Sequence, residues 1–151
     1  MKDELTFRPL NVEDYETICK WWKWWRWAVL PKTALPNDGK GGFMVEKNNI
    51  PIVSGFLYIS NSKMAMLEWI VSNPYYREKD RKQAIELLIN KIESFCKEID
   101  IKHVITLGRN KHLIETHKKL GWTVDDKTSY EIIKNIWNGR NNSGSNRIRC
   151  R

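Results

Sequence analysis

Glu68 is the only carboxylate in the apolar run 64–72, which reads Met-Ala-Met-Leu-Glu-Trp-Ile-Val-Ser. Strand alternation groups it with Met66 and Ile70 and sets it opposite Leu67 and Trp69. A carboxylate among apolar neighbours has a raised pKa, which suits a general base acting directly or through water. A cross-strand partner for a lysine, or a solvated residue on an outer face, fits the same pattern. Downstream, the turn 74–82 reads Pro-Tyr-Tyr-Arg-Glu-Lys-Asp-Arg-Lys and feeds an amphipathic helix. A helix start reached this way offers unpaired backbone N–H groups to an anion, and glycine normally lets the ligand approach them. This turn holds no glycine; Arg77, Lys79, Arg81 and Lys82 surround Asp80 instead. Histidine adds a group that titrates near neutrality. His112 and His117 lie five residues apart, so they do not share a helix face, and no spacing of histidine, cysteine and acid suggests a metal site.

Helices and strands must bring these groups together. Residues 5–10 alternate as a strand, and Asn11 is a suitable N-cap for a helix from Val12, with Glu13 and Asp14 in its first turn. That helix carries Trp21, Trp22, Trp24, Trp25 and Trp27. Ile18, Trp22 and Trp25 share a stripe with Trp21 beside it, whereas Trp24 and Trp27 fall towards the edge. Strands are predicted at 43–46, 50–60 and 64–72, joined by turns and therefore antiparallel. A helix over 83–99, a strand over 103–107, a helix over 111–120 ending at Gly121 and a strand over 129–136 complete the order. The strand–helix–strand unit between residues 64 and 107 requires a parallel pair. The expectation is an α+β (mixed α/β) single domain, with a central, mostly antiparallel mixed sheet flanked by helices.

Composition sets the outer limits. With 151 residues and 41% hydrophobic content the chain can bury one core, and no apolar run approaches the length of a membrane span. The first residues carry no apolar leader core, and three widely spaced cysteines suit a reducing compartment, so the cytoplasm is the expected location. Half of the +8 net charge comes from Arg140, Arg147, Arg149 and Arg151 in residues 138–151, an Asn/Ser/Gly-rich tail expected to be disordered. Weak nucleic-acid contact through this basic tail follows from its charge.

Three local patterns resemble the GNAT superfamily of N-acetyltransferases, and together they span residues 5–136. Pro74-Tyr75-Tyr76-Arg77 is similar to the family's P-x-Y-R after its fourth strand. The stretch from Asn110 through His117 to Gly121 and Trp122 matches N-x-x-A-x-x-x-Y-x-x-x-G-F at every interval. The opening strand and helix, with Arg8-Pro9-Leu10 and Asp14, is the third. The family's phosphate-loop glycines are replaced by Asp80 and Lys82, so the pyrophosphate loop is degenerate.

The resemblance implies a GNAT-like acyltransferase domain over 1–137 that moves an acyl group from acetyl-CoA, or another acyl-CoA, to an amine without a metal. It implies that backbone groups of Ile70, Val71 and Ser72 hold the thioester and pantetheine arm. Arg77, Lys79, Arg81, Lys82 and Asn110 would contact the cofactor, although Asn110 is equally a helix N-cap. Glu68 would be the base and His117, at the tyrosine position, the proton donor to the thiolate; a surface histidine is the alternative. Trp24 and Trp27 would border the acceptor, by cation–π contact, unless they serve a core or a homodimer surface. The other functional reading is an inactive or repurposed GNAT-fold binding or structural module, associated in one version with nucleic acid.

Overall fold

Short apolar runs alternate with amphipathic ones, and the computed structural model, which describes residues 4–125, 127 and 129–136, resolves them into a sheet and three helices. The strands are β1 (Leu5–Pro9), β2 (Gly42–Lys47), β3 (Ile50–Ile59), β4 (Met64–Ser72) and β5 (His103–Ile105). The helices are α1 (Asp14–Trp24), α2 (Arg81–Glu98) and α3 (Lys111–Lys119). Sheet order follows chain order: β1 to β4 pair antiparallel, and β5 lies parallel to β4 after the α2 crossover. This is the α+β arrangement that the strand pattern predicts. Gly42 permits the close approach of β2 to β3, because a Cβ there would stand 2.2 Å from the Gly55 carbonyl oxygen.

Two buried clusters hold the layers together, one on each face of the sheet. Val45, Ile52, Val53, Leu57 and Leu67 pack against Leu88, Ile92 and Cys96 of α2. On the other face, Ile18, Trp21 and Trp22 of α1 pack against Met44, Phe56 and Val71. The apolar stripe predicted for α1 is therefore the face that docks. Asn11 accepts from the Glu13 and Asp14 N–H groups through its side chain in the turn that leads into α1, and the helix starts at Asp14 rather than at Val12. The helix stops earlier than its tryptophans suggest. Arg26 adopts φ 65° and the Trp27 N–H turns back to the Trp22 carbonyl, closing the last turn. At the end of α3, Gly121 takes φ +97° and lets the Trp122 N–H reach the His117 carbonyl.

Two sequence expectations need correction. The strand predicted over 129–136 does not form. β5 has three residues, so it offers a short edge for pairing, and Ile132 is 93% exposed, so no apolar face docks the segment. The second concerns Glu68. The register between β3 and β4 shifts between Ser54 and Phe56, and Trp69 adopts φ 62°, a β-bulge that interrupts alternation. Beyond it, Trp69 packs with the α1 cluster and Ile70 with the α2 cluster. Trp69 therefore shares the face of Glu68, whose register partner Phe56 also belongs to the α1 layer, and Ile70 leaves it. The expected tail, 138–151, lies outside the described residues. Among those described, no helix is long and apolar enough to cross a membrane.

Candidate functional site

β4 and β5 pair only through Met64–Met66 and His103–Ile105, and β4 runs on to Ser72 without a partner strand on that edge among the described residues. A cleft of about 1070 Å³ opens there. Ile70, Val71 and Ser72 of β4 line it, and α3 with the residues before it supplies a wall through Arg109, Asn110, His112 and Glu115. Asn110 borders the cleft, and its side chain accepts from the Leu113 N–H at 2.8 Å to cap α3.

One end of the cleft is cationic. Lys79, Arg81 and Lys82 line it at the start of α2, a helix with no side-chain cap. Arg81 donates to Ser72 Oγ at 2.6 Å, and its guanidinium lies 5.8 Å over the Trp25 ring. Trp25 is itself fixed by its indole N–H, which donates to the Ser72 carbonyl at 2.9 Å. Burial, then the neighbouring Arg77 charge, pulls the Arg81 pKa down, as expected for a cation with no carboxylate partner among the described residues. Arg77 itself does not line the cleft.

Asp80 does not face this end. Its carboxylate takes Lys47 of β2 at 2.8 Å and the Tyr76 hydroxyl at 2.6 Å, and these two partners hold its pKa below the ordinary value. It occupies the cap position of α2 without capping it. Asp80→Asn is expected to cost about 1 kcal/mol of folding stability, the worth of one part-exposed ion pair, read by urea denaturation. CoA affinity should stay within about threefold, since the charge points away from the cleft. Much tighter binding by the variant would show that the carboxylate opposes a phosphate after all.

The other end is aromatic. Trp22, Trp27, Ala28 and Leu30 come from α1 and the loop after it, and Trp69 from the bulge. Of the two tryptophans predicted to border an acceptor, Trp27 lines the cleft. Trp24 lies outside it, edge-on to Trp25 and Tyr75. The Trp69 N–H donates to the Tyr58 hydroxyl at 2.8 Å, and that hydroxyl donates to the Ala34 carbonyl at 2.7 Å, so the indole is locked.

The two groups predicted to move protons are both set back from the cleft wall. Glu68 is 3% exposed, accepts from the Leu107 N–H and pairs with Arg109 at 3.2 Å. Burial pushes its pKa up, and Arg109 with the Leu107 N–H partly counters that. His117 is 4% exposed, with Nδ1 at 2.9 Å from the Leu113 carbonyl and its ring edge-on to Trp122. Sequence reasoning passed over Trp69 and Arg109. The β-bulge hides Trp69 from an alternation argument, and Arg109 stands beside the better-known Asn110 position without a motif of its own. Among the described residues, no group of three His, Cys, Asp or Glu is placed to hold a metal ion.

No protein-family model and no curated protein matches the chain. Solved structures do. An N-acetylglutamate synthase from Neisseria gonorrhoeae, complexed with coenzyme A and L-arginine, superposes with a TM-score of 0.67 at 13% identity over 83% of this chain. This chain spans 28% of that synthase. An acetyltransferase from Trypanosoma brucei matches at a TM-score of 0.59 and 13% identity, covering 86% of this chain and all (100%) of the other. A GCN5-related N-acetyltransferase from Ralstonia eutropha matches at 0.58 and 17%, covering 85% and 99%. Identities this low speak to architecture, and the architecture agrees along nearly the whole length of the smaller proteins: the chain has the fold of the GNAT superfamily.

Proposed function

We propose that this protein is an acyl-CoA-dependent N-acyltransferase with acetyl-CoA as the expected donor. The observation that carries the reading is the cleft between the diverging ends of β4 and β5, with one cationic and one aromatic end. Its volume of about 1070 Å³ has room for an extended thioester. The pyrophosphate would lie at the α2 start against Lys79, Arg81 and Lys82, the pantetheine arm along Ile70 to Ser72, and the acyl group near the bulge. A structural neighbour crystallised with coenzyme A supports the choice of donor. The acceptor would enter past Trp27 and Leu30.

The reaction is a direct displacement. The acceptor ammonium loses a proton, its nitrogen forms the C–N bond at the thioester carbonyl and sheds a second proton as it becomes the amide, the C–S bond breaks, and the thiolate takes up one proton, so that one proton is released overall. The bulge matters because it frees β4 backbone groups from pairing with β3 near the reacting carbonyl. Glu68 and His117 stand behind the wall, so protons exchange with water in the cleft beside His112 and Glu115. Glu68 acts on the site through Arg109. Isothermal titration with acetyl-CoA and with CoA tests the reading. Binding at micromolar concentrations is the expected result, and no binding of either at millimolar concentration would leave the GNAT fold as a scaffold for another purpose.

A further inference from the structure

Arg109 is held in an unusual way for a loop residue. Its guanidinium lies 4.7 Å over the Trp69 ring, Nη1 pairs with Glu68 Oε1 at 3.2 Å, and Nε donates to Glu131 Oε2 at 2.8 Å. Nη2 pairs with Glu131 as well. One aromatic face and two carboxylates thus form a seat for a planar cation at the aromatic end of the cleft. Stability alone gives a weak account of it. Burying Glu68 carries a desolvation cost that its pair with Arg109 does little more than offset. The seat is also not sealed, because Trp69 and Arg109 both line the cleft and the Arg109 side chain is 31% exposed. The Tyr58 hydroxyl locks the Trp69 ring, so the aromatic face is preorganised. Trp27, Ala28 and Leu30 line the same cleft and offer an apolar wall suited to methylene groups.

We infer that this seat receives a second cationic group of the acceptor, and that Arg109 fills it until the acceptor arrives. The acceptor class is an aliphatic amine with a further ammonium or guanidinium at its far end. Its methylene chain runs along Trp27 and Leu30, its near amine reaches the acyl carbon, and its far cation takes the place of the Arg109 guanidinium on Trp69, Glu68 and Glu131. The assignment rests on the acyl-transfer reading for the chemistry at the near end, whereas the seat itself is a matter of binding.

Three amines of one chain length separate the alternatives: putrescine with a second ammonium, butylamine with a methyl group, and γ-aminobutyrate with a carboxylate. Calorimetric titration of each into the full chain saturated with CoA reads binding without turnover. Putrescine should bind about tenfold tighter than butylamine, and γ-aminobutyrate weakest. Glu131→Gln, which leaves the Glu68–Arg109 pair in place, should remove most of that preference. Arg109→Ala empties the seat and should tighten putrescine about tenfold, because the competing internal cation is gone. Equal binding of the three amines to CoA-loaded protein overturns the inference and leaves acyl transfer standing. Weaker putrescine binding by Arg109→Ala overturns the exchange. Failure of CoA to bind, with the putrescine preference intact in the free protein, keeps the seat and overturns the transferase reading.

Discussion

Replacing Arg81 by alanine should weaken CoA binding by about tenfold to a hundredfold, the worth of one charge-assisted hydrogen bond to phosphate, while pantetheine binding stays unchanged. The glycine-free turn makes this expectation large. Where glycines let backbone amides wrap a pyrophosphate, affinity is spread over several N–H groups; here side chains must carry it. Arg81 is the best oriented of them. Ser72 Oγ takes one of its nitrogens, and Trp25 lies under its plane. It reaches the cleft without a carboxylate partner among the described residues, so no ion pair with any of them must be broken to free it. Lys79 and Lys82 line the same end as flexible point charges, and each should matter less. Trp25→Ala should weaken CoA severalfold by releasing the guanidinium, and Arg81→Lys should restore only part of the loss. Calorimetry on CoA and pantetheine in parallel measures the phosphate-specific component. An alanine variant that binds CoA normally would mean that the backbone at the α2 start does the work without glycine.

Arg81 also marks how far the residues alone could be read. The order of elements was legible because its signals are local: Asn11 before α1, the stripe of α2, Asn110 and Gly121 bracketing α3. The cationic character of the turn was equally plain. What remained hidden depends on contacts between distant segments. Nothing in the turn says that Asp80 finds Lys47, thirty-three residues away, and so turns from the cleft. Nothing in 64–72 announces a bulge at Trp69, since the register that sets Trp69 and Ile70 against Gly55 is fixed by pairing with β3. That one irregular residue moves Trp69 onto the face of Glu68 and brings Arg109 over its ring. A strand was expected at 129–136, but pairing also needs a long enough edge, and β5 does not offer one.

Acidification from pH 7.5 to 5.5 should lower stability through His117 alone. The Leu113 carbonyl can only accept, so Nδ1 carries the proton of the neutral ring and Nε2 is the bare nitrogen. Nε2 is buried with no partner among the described residues, so a second proton would sit on a buried, unsatisfied N–H. Burial accordingly lowers the pKa from 6.5, and the bond to Leu113 offsets it in part. The sign follows from linkage. Between the depressed folded value and 6.5 the unfolded chain binds the extra proton and the folded chain does not. The contribution is therefore complete above pH 6.5 and is lost as the pH falls towards the folded value, with a slope of at most about 1.4 kcal/mol per pH unit. His117→Phe keeps a ring against Trp122 and cannot titrate, so the stability difference between the two proteins isolates this group from His103 and His112, which both share. Urea midpoints at half-unit steps would show that difference narrowing in acid. A flat difference would mean that the folded protein tolerates an imidazolium at this position, which requires access to water or an anion. His117 would then regain the proton-donor role that its place in the sequence suggests, and the wall of the cleft would have to open at α3 to let it act.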